Sequence, residues 1–318
     1  MWILLMACHA QQSPDSGLTE NEVEGIQDHR MDPGEPPSEG FQERTPEFIL
    51  EPHSEVMYCY FGRYSGPDVG ATYYEWFQDP TYGHHFMTLA VSDDTLIADG
   101  EMVDCTDPEQ FVMGIMPPLL QGTELVEAPN GRMVLPDGVA IQLVSGQRWA
   151  LQSHYVNPTD NPLLLQDAIN VVTVPAEEVE TWASTYVANS SQFDLPPGRH
   201  AMDVTCEWPA TVNLINMMGH MHTNGRSINI QHGHDGVWDL LFEVEEWEPS
   251  YVYGPILRGF EEGEAVIEAG DTVQVHCAYD NVTDETLRFP DEMCVGAGIA
   301  WPMTAPFQCD VPVTMSTW

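Results

Sequence analysis

From Phe48 onward the chain alternates short apolar, β-branched or aromatic runs with turn signals at Tyr64 to Gly66, Pro136 to Gly138, Asp235-Gly236, Glu262-Gly263 and Gly270-Asp271. That rhythm of short strands and punctuating turns predicts an all-β fold. Only Ala176 to Ala188 has any helical character, and it is short and rich in β-branched residues.

A chain of 318 residues suits two cores of ordinary size better than one. The stretch from Pro175 to Pro197, where acidic and polar residues lead into the Pro196-Pro197-Gly198 turn, is the best boundary. It divides the body into blocks 47–176 and 177–318, each of a size for a two-sheet sandwich. Ahead of them, Leu5-Met6-Ala7-Cys8 resembles a bacterial lipobox, so residues 1–8 read as the end of a lipoprotein signal and Cys8 as a lipid anchor. Residues 9–46, rich in Glu, Asp, Pro, Ser and Gly, read as a flexible acidic tether. Both features point to export from a bacterial cell.

Charge narrows the partners. Fifty acidic residues stand against nine basic ones, a formal charge of −41, and all nine are Arg. Nucleic acid and anionic membranes would be repelled. So acidic a surface suits salty water, which screens self-repulsion. Besides Cys8 there are Cys59, Cys105, Cys206, Cys277, Cys294 and Cys309, with no CxxC pair among them. An even number in an exported chain suggests three disulfides, and spacing leaves their connectivity open.

Five of the twelve histidines fall in the middle of apparent strands, where a polar ring needs a reason to be present. His84 and His85 are adjacent, so in a regular strand their rings point to opposite faces. Both reach one ion only if the chain bulges there, as Gly83 permits. His154, alone on its strand, becomes a third ligand only in their company. His220 and His222 have the i, i+2 spacing that puts two imidazoles on one strand face, a natural chelate for a transition metal. His232 and His234 share that spacing but run into Asp235-Gly236, and we read them as a solvated hairpin tip. Met293 adds a thioether to the pair at 220 and 222, a soft set that favours Cu(I) over zinc, calcium or magnesium.

The ordered series His84-His85, Gln152-x-His154, His220-x-His222, Gly270-Asp271 with Cys277, and Asp291-Glu292-Met293-Cys294 resembles the copper type II, ascorbate-dependent monooxygenases, which include peptidylglycine α-hydroxylating monooxygenase and dopamine β-monooxygenase. The resemblance spans roughly Glu47 to Cys309. It implies two jelly-roll-like antiparallel β-sandwich domains facing each other across a cleft. It also implies two coppers per chain, an electron-transfer copper on His84, His85 and His154 and a catalytic copper on His220, His222 and Met293. Ascorbate would supply electrons, and dioxygen and a small-molecule C–H substrate would meet at the second site. Disulfides Cys277–Cys294 and Cys206–Cys309 are implied in the same way, which leaves Cys59 and Cys105 as the remaining couple.

The chain departs from the peptide-hydroxylating members at the residues that hold the substrate carboxylate, where it has Met218, Val295 and Ala297. A neutral or apolar substrate is expected instead. Three other readings compete: an exported copper-binding protein or a relative without turnover, a zinc hydrolase, and a structural lipoprotein. The zinc reading leaves Met293 unexplained and lacks a nearby general base, and the ordered motif series argues against the structural one. Asn-x-Ser/Thr sequons at Asn189 and Asn281 matter only on a eukaryotic secretory route.

Overall fold

The computed structural model describes residues 25–91, 93, 95–105, 131–252 and 255–317. The lipobox-like segment with Cys8 lies outside the described residues. The body is all-β, and its helical turns among the described residues are the short 3-10 segments Ala176–Glu178 and Pro249–Val252.

In the first half, strands Gly83–Val91, Arg148–Asn157, Ser54–Arg63 and Met102–Asp104 lie side by side in that order. Across from them run Val139–Leu143, Val69–Phe77, Ala168–Pro175 and Gly40–Arg44. Trp76 and Ile169 from the second sheet pack on Phe86 and Leu151 from the first, because alternation sends every second side chain inward. In the second half, the sheet Val237–Val244, Gly225–His234, Thr272–Asn281, Gly198–Glu207, Thr314–Thr317 faces one that contains Val212–His220, Val295–Trp301 and Thr181–Asn189. Met202, Trp208, Met217 and Tyr279 fill the space between, each stabilising the fold by roughly 1.5–3 kcal/mol through burial.

The helix-like stretch Ala176 to Ala188 has one 3-10 turn and then strand Thr181–Asn189, as its Thr and Val content favours and in keeping with the all-β pattern. One sequence expectation needs correction. The tether expected over 9–46 is built into the sheets in its later part. Gly40–Arg44 pairs with Ala168–Pro175, Gln27–Asp28 pairs with Leu163–Leu165, and Thr45 is buried with its Oγ1 accepting from Asp167 N at 2.9 Å. Its polar composition is that of an edge strand with one wet face, which composition alone does not separate from a linker.

Strand Thr181–Asn189 pairs antiparallel with Val295–Trp301 and, through Thr181 to Ala183, parallel with Val139 to Ile141. One sheet therefore runs through both halves, and Ala183, Ile215 and Ile299 join the core of the first half. The boundary at 176/177 falls between segments hydrogen bonded into that sheet.

All six cysteines among the described residues pair: Cys59–Cys105, Cys206–Cys309 and Cys277–Cys294. The two pairings implied by the resemblance are present, and so is the remaining couple. Disulfides mark an exported chain or an oxidising compartment. Both sequon asparagines are buried, and Asn281 Nδ2 is committed to Leu195 O and Glu285 O at 3.0 and 2.9 Å.

Candidate metal centres

Strand Gly83–Val91 pairs with Arg148–Asn157 in register His85↔His154, and the next pair is Gly83↔Tyr155. His84 is the extra residue of a β-bulge, the feature needed for adjacent histidines to turn to one side. Gly83 is required there. A Cβ on it would lie 2.4 Å from Gln78 Cγ and 2.5 Å from the Asp79 carbonyl oxygen, while its own N–H donates to that oxygen at 2.9 Å.

The bulge brings His84, His85 and His154 together, with one ligand nitrogen from each within 4.8 Å of the others. His85 and His154 are 3 and 2% exposed. Gln152 Oε1 holds His85 Nε2 at 3.1 Å, and Glu55 Oε1 holds His154 Nε2 at 2.8 Å. Outer partners of this kind fix the tautomer and aim the other ring nitrogen inward. Gln78 Nε2 donates to the His85 and His154 carbonyls at 2.8 and 3.4 Å, tying the two strands under the rings. Nδ1 of His84 and Nδ1 of His85 are buried with no hydrogen-bond partner. Buried orphan nitrogens on converging rings are what a metal ion satisfies.

Electrostatics favour the same use. Burial pushes the His85 imidazole down to about 3, with His154 and then His84 adding to the effect. Burial also lowers His84 and His154, although Glu55 opposes it at both. All three rings are thereby kept neutral near pH 7, the form that binds metal.

At the other candidate centre, His220 ends strand Val212–His220 and His222 follows two residues on, their ring centroids 5.2 Å apart. The intervening Met221 is fully buried in the core, so the strand alternation turns both imidazoles away from it. His220 is opposite Val295 in register, two residues after Met293.

Glu292 is what connects these segments, and sequence reasoning missed it. Its carboxylate is fully buried. Oε1 accepts from the N–H groups of His222 and Met293, and Oε2 accepts from Asn224 N and Asn224 Nδ2 at 3.1 and 3.3 Å. The Asp291 carbonyl oxygen lies 3.0 Å from His222 Nδ1, which leaves the other ring nitrogen for a metal. Tyr279 Oη donates to Met293 O at 2.6 Å, and Cys294 is bonded to Cys277. Met293 is half-buried. Burial pushes His220 down to about 3, with His222 adding to it. An acid inside an Asp-Glu-Met-Cys string, flanked by candidate ligands, is the only sequence signal that Glu292 offered.

Next to His220, Met218 pairs with Ala297 and Leu257, and with Val187 and Val295 they form an apolar cluster. His232 and His234 are not a freely solvated tip. Asp271 grips both, with His232 Nε2 and His234 Nδ1 each 2.6 Å from its carboxylate, and the turn itself is Asp235-Gly236, both at positive φ.

No family model matches the chain, and no curated protein matches it significantly. The likeness to the ascorbate-dependent copper monooxygenases rests on these residues alone.

Proposed function

We propose that the chain is an exported copper-dependent monooxygenase with one copper on His84, His85 and His154 and a second on His220, His222 and Met293. The observation that carries this reading is the bulge-assembled cluster of His84, His85 and His154, with its orphaned Nδ1 atoms. Support for the second centre comes from Glu292, which ties the Met293 segment to the turn after His220. Copper bound at the two centres would supply electron storage at the first and dioxygen reduction at the second, with an ascorbate-type molecule as electron donor.

The remaining work falls to the protein's own side chains. Gln152 and Glu55 hold the outer nitrogens of His85 and His154, so the ring orientation is prepaid before metal arrives. Asp291 O does the same for His222. Met218, Ala297, Val295, Val187 and Leu257 give the neighbourhood of His220 an apolar wall. A substrate carboxylate placed there would lose its hydration without gaining a partner, which favours a small neutral or apolar substrate. Lipidation at Cys8 would tether the enzyme to the cell envelope.

Metal content and ascorbate-dependent oxygen uptake, measured on copper-loaded wild type and Met293→Ala, test the reading. About two coppers per chain, with uptake lost in the variant, are expected. Zinc in place of copper would overturn it in favour of a zinc site, and copper without ascorbate-driven uptake would indicate an exported copper-binding protein or a relative that has lost turnover.

A further inference from the structure

The segment ahead of the first sandwich reaches the turn that launches His84 and His85, and it does so through His29. Backbone N–H groups of Gln27, His29 and Met31 donate to the carbonyls of Pro162, Leu164 and Gln166 at 2.9, 2.9 and 3.3 Å. The segment is thereby laid in parallel along Leu163–Leu165, in which Leu163 and Leu165 are fully buried. Arg30 adds a second hold, its guanidinium 2.6 Å from the Glu47 carboxylate. These anchors deliver the His29 imidazole to Asp79, with Nδ1 donating to Oδ2 at 3.0 Å and the ring edge-on to Tyr82 at a centroid distance of 4.8 Å.

Asp79 is the hub of that turn, and it is 6% exposed. Its Oδ1 accepts from Thr81 N and Tyr82 N at 2.8 and 2.9 Å, and its carbonyl oxygen accepts from Gly83 N at 2.9 Å. Its own N–H donates to Tyr155 Oη at 3.3 Å, one residue beyond His154. Three successive residues, Thr81 to Gly83, therefore hang on Asp79, and the bulge at His84 follows directly. With Oδ1 occupied by the turn, Oδ2 is taken by His29. The torsion about a carboxylate's last bond is soft, and a donor on the second oxygen fixes its plane.

His29 precedes Glu47, where the likeness to the copper monooxygenases begins, so that likeness assigns it no part. We propose that His29 is a positioning residue for the three-histidine centre: it fixes Asp79, Asp79 fixes the turn 79–83, and the turn holds His84 and His85 in their converged arrangement. The proposal rests on the metal reading given above, with His29 acting through Asp79 rather than as a ligand.

Competitive titration of the full chain with Cu(I) against a colorimetric chelator resolves the first centre as the step that His84→Ala removes. His29→Ala, and His29→Phe, which keeps a ring against Tyr82 but lacks the donor, should each weaken that step about tenfold and leave the second step unchanged. The Cu(II) electron paramagnetic resonance signal of the first centre should shift in both. His29→Asn, whose amide keeps an N–H for Asp79, should restore affinity and signal. In the metal-free chain, exchange of the Thr81, Tyr82 and Gly83 amides should be about tenfold faster in the Ala and Phe variants. Either of those two that folds decides the matter. Unchanged amide exchange or unchanged first-step affinity overturns the proposal, and so does an equal loss at both centres or a failure of Asn to rescue, since each marks a merely structural anchor. Wild type that takes up no copper at this centre would sink the monooxygenase reading instead, and amide exchange would still decide whether His29 holds the turn.

Discussion

Single side chains set both candidate centres, and the least visible of them is Glu292. Its carboxylate accepts from three backbone N–H groups and one side-chain amide inside the protein. Glu292→Gln replaces one acceptor oxygen with a donor facing donors, so a loss of about 2–3 kcal/mol is expected in denaturant unfolding. Copper content should fall by about one per chain. The imidazoles make a second residue-scale prediction for the metal-free protein. His85 and His220 are both held at about 3, below the ordinary value of 6.5. The unfolded chain therefore binds more protons than the folded one between those values. Stability should be full above about pH 6.5 and should fall steadily as pH drops toward 3, a slope that replacing either histidine with Gln would flatten. Unfolding midpoints measured across that range check it.

At the scale of strands and turns, the bulge at His84 is the element on which the first centre depends. Gly83→Ala forces a Cβ to within 2.5 Å of the Asp79 carbonyl. The expected cost is about 1–3 kcal/mol, with the first-site copper lost and the second retained, read by thermal unfolding and metal analysis. The disulfide Cys277–Cys294 behaves similarly for the second centre. It closes a short loop, 17 residues in separation, that ends beside Met293, so replacing both cysteines with Ser should cost about 3 kcal/mol and weaken copper there. Much of this level was legible in advance. Strand alternation around Met221 predicted that His220 and His222 share a side, and Gly83 signalled the bulge. Strand Gly40–Arg44 was hidden because Gln42, Glu43 and Arg44 look like linker residues until Phe41 and its pairing partner are known. Thr181–Asn189 was ambiguous because apolar and polar residues follow each other at a spacing that suits either period. Outer partners such as Glu55 and Gln78 come from distant segments, and no local pattern announces a contact of that kind.

For the whole molecule, charge and connectivity decide behaviour. With a formal charge of −41, self-repulsion opposes the compact state, and added salt should raise the unfolding temperature steeply up to about 1 M, where screening nears completion. A flat response between low and high salt would show that the acidic surface carries little strain. The all-β class followed from turn spacing alone, whereas the sharing of one sheet by both halves was not legible, because the parallel pairing of Thr181 to Ala183 with Val139 to Ile141 joins segments with no sequence signature of partnership. That shared strand has a practical result for anyone who would dissect the protein. A cut at 176/177 leaves each fragment with an unzipped row of amide and carbonyl groups, and the freed borders would seek the nearest strand in solution, so the separated halves should clump when expressed apart and recover only when produced together.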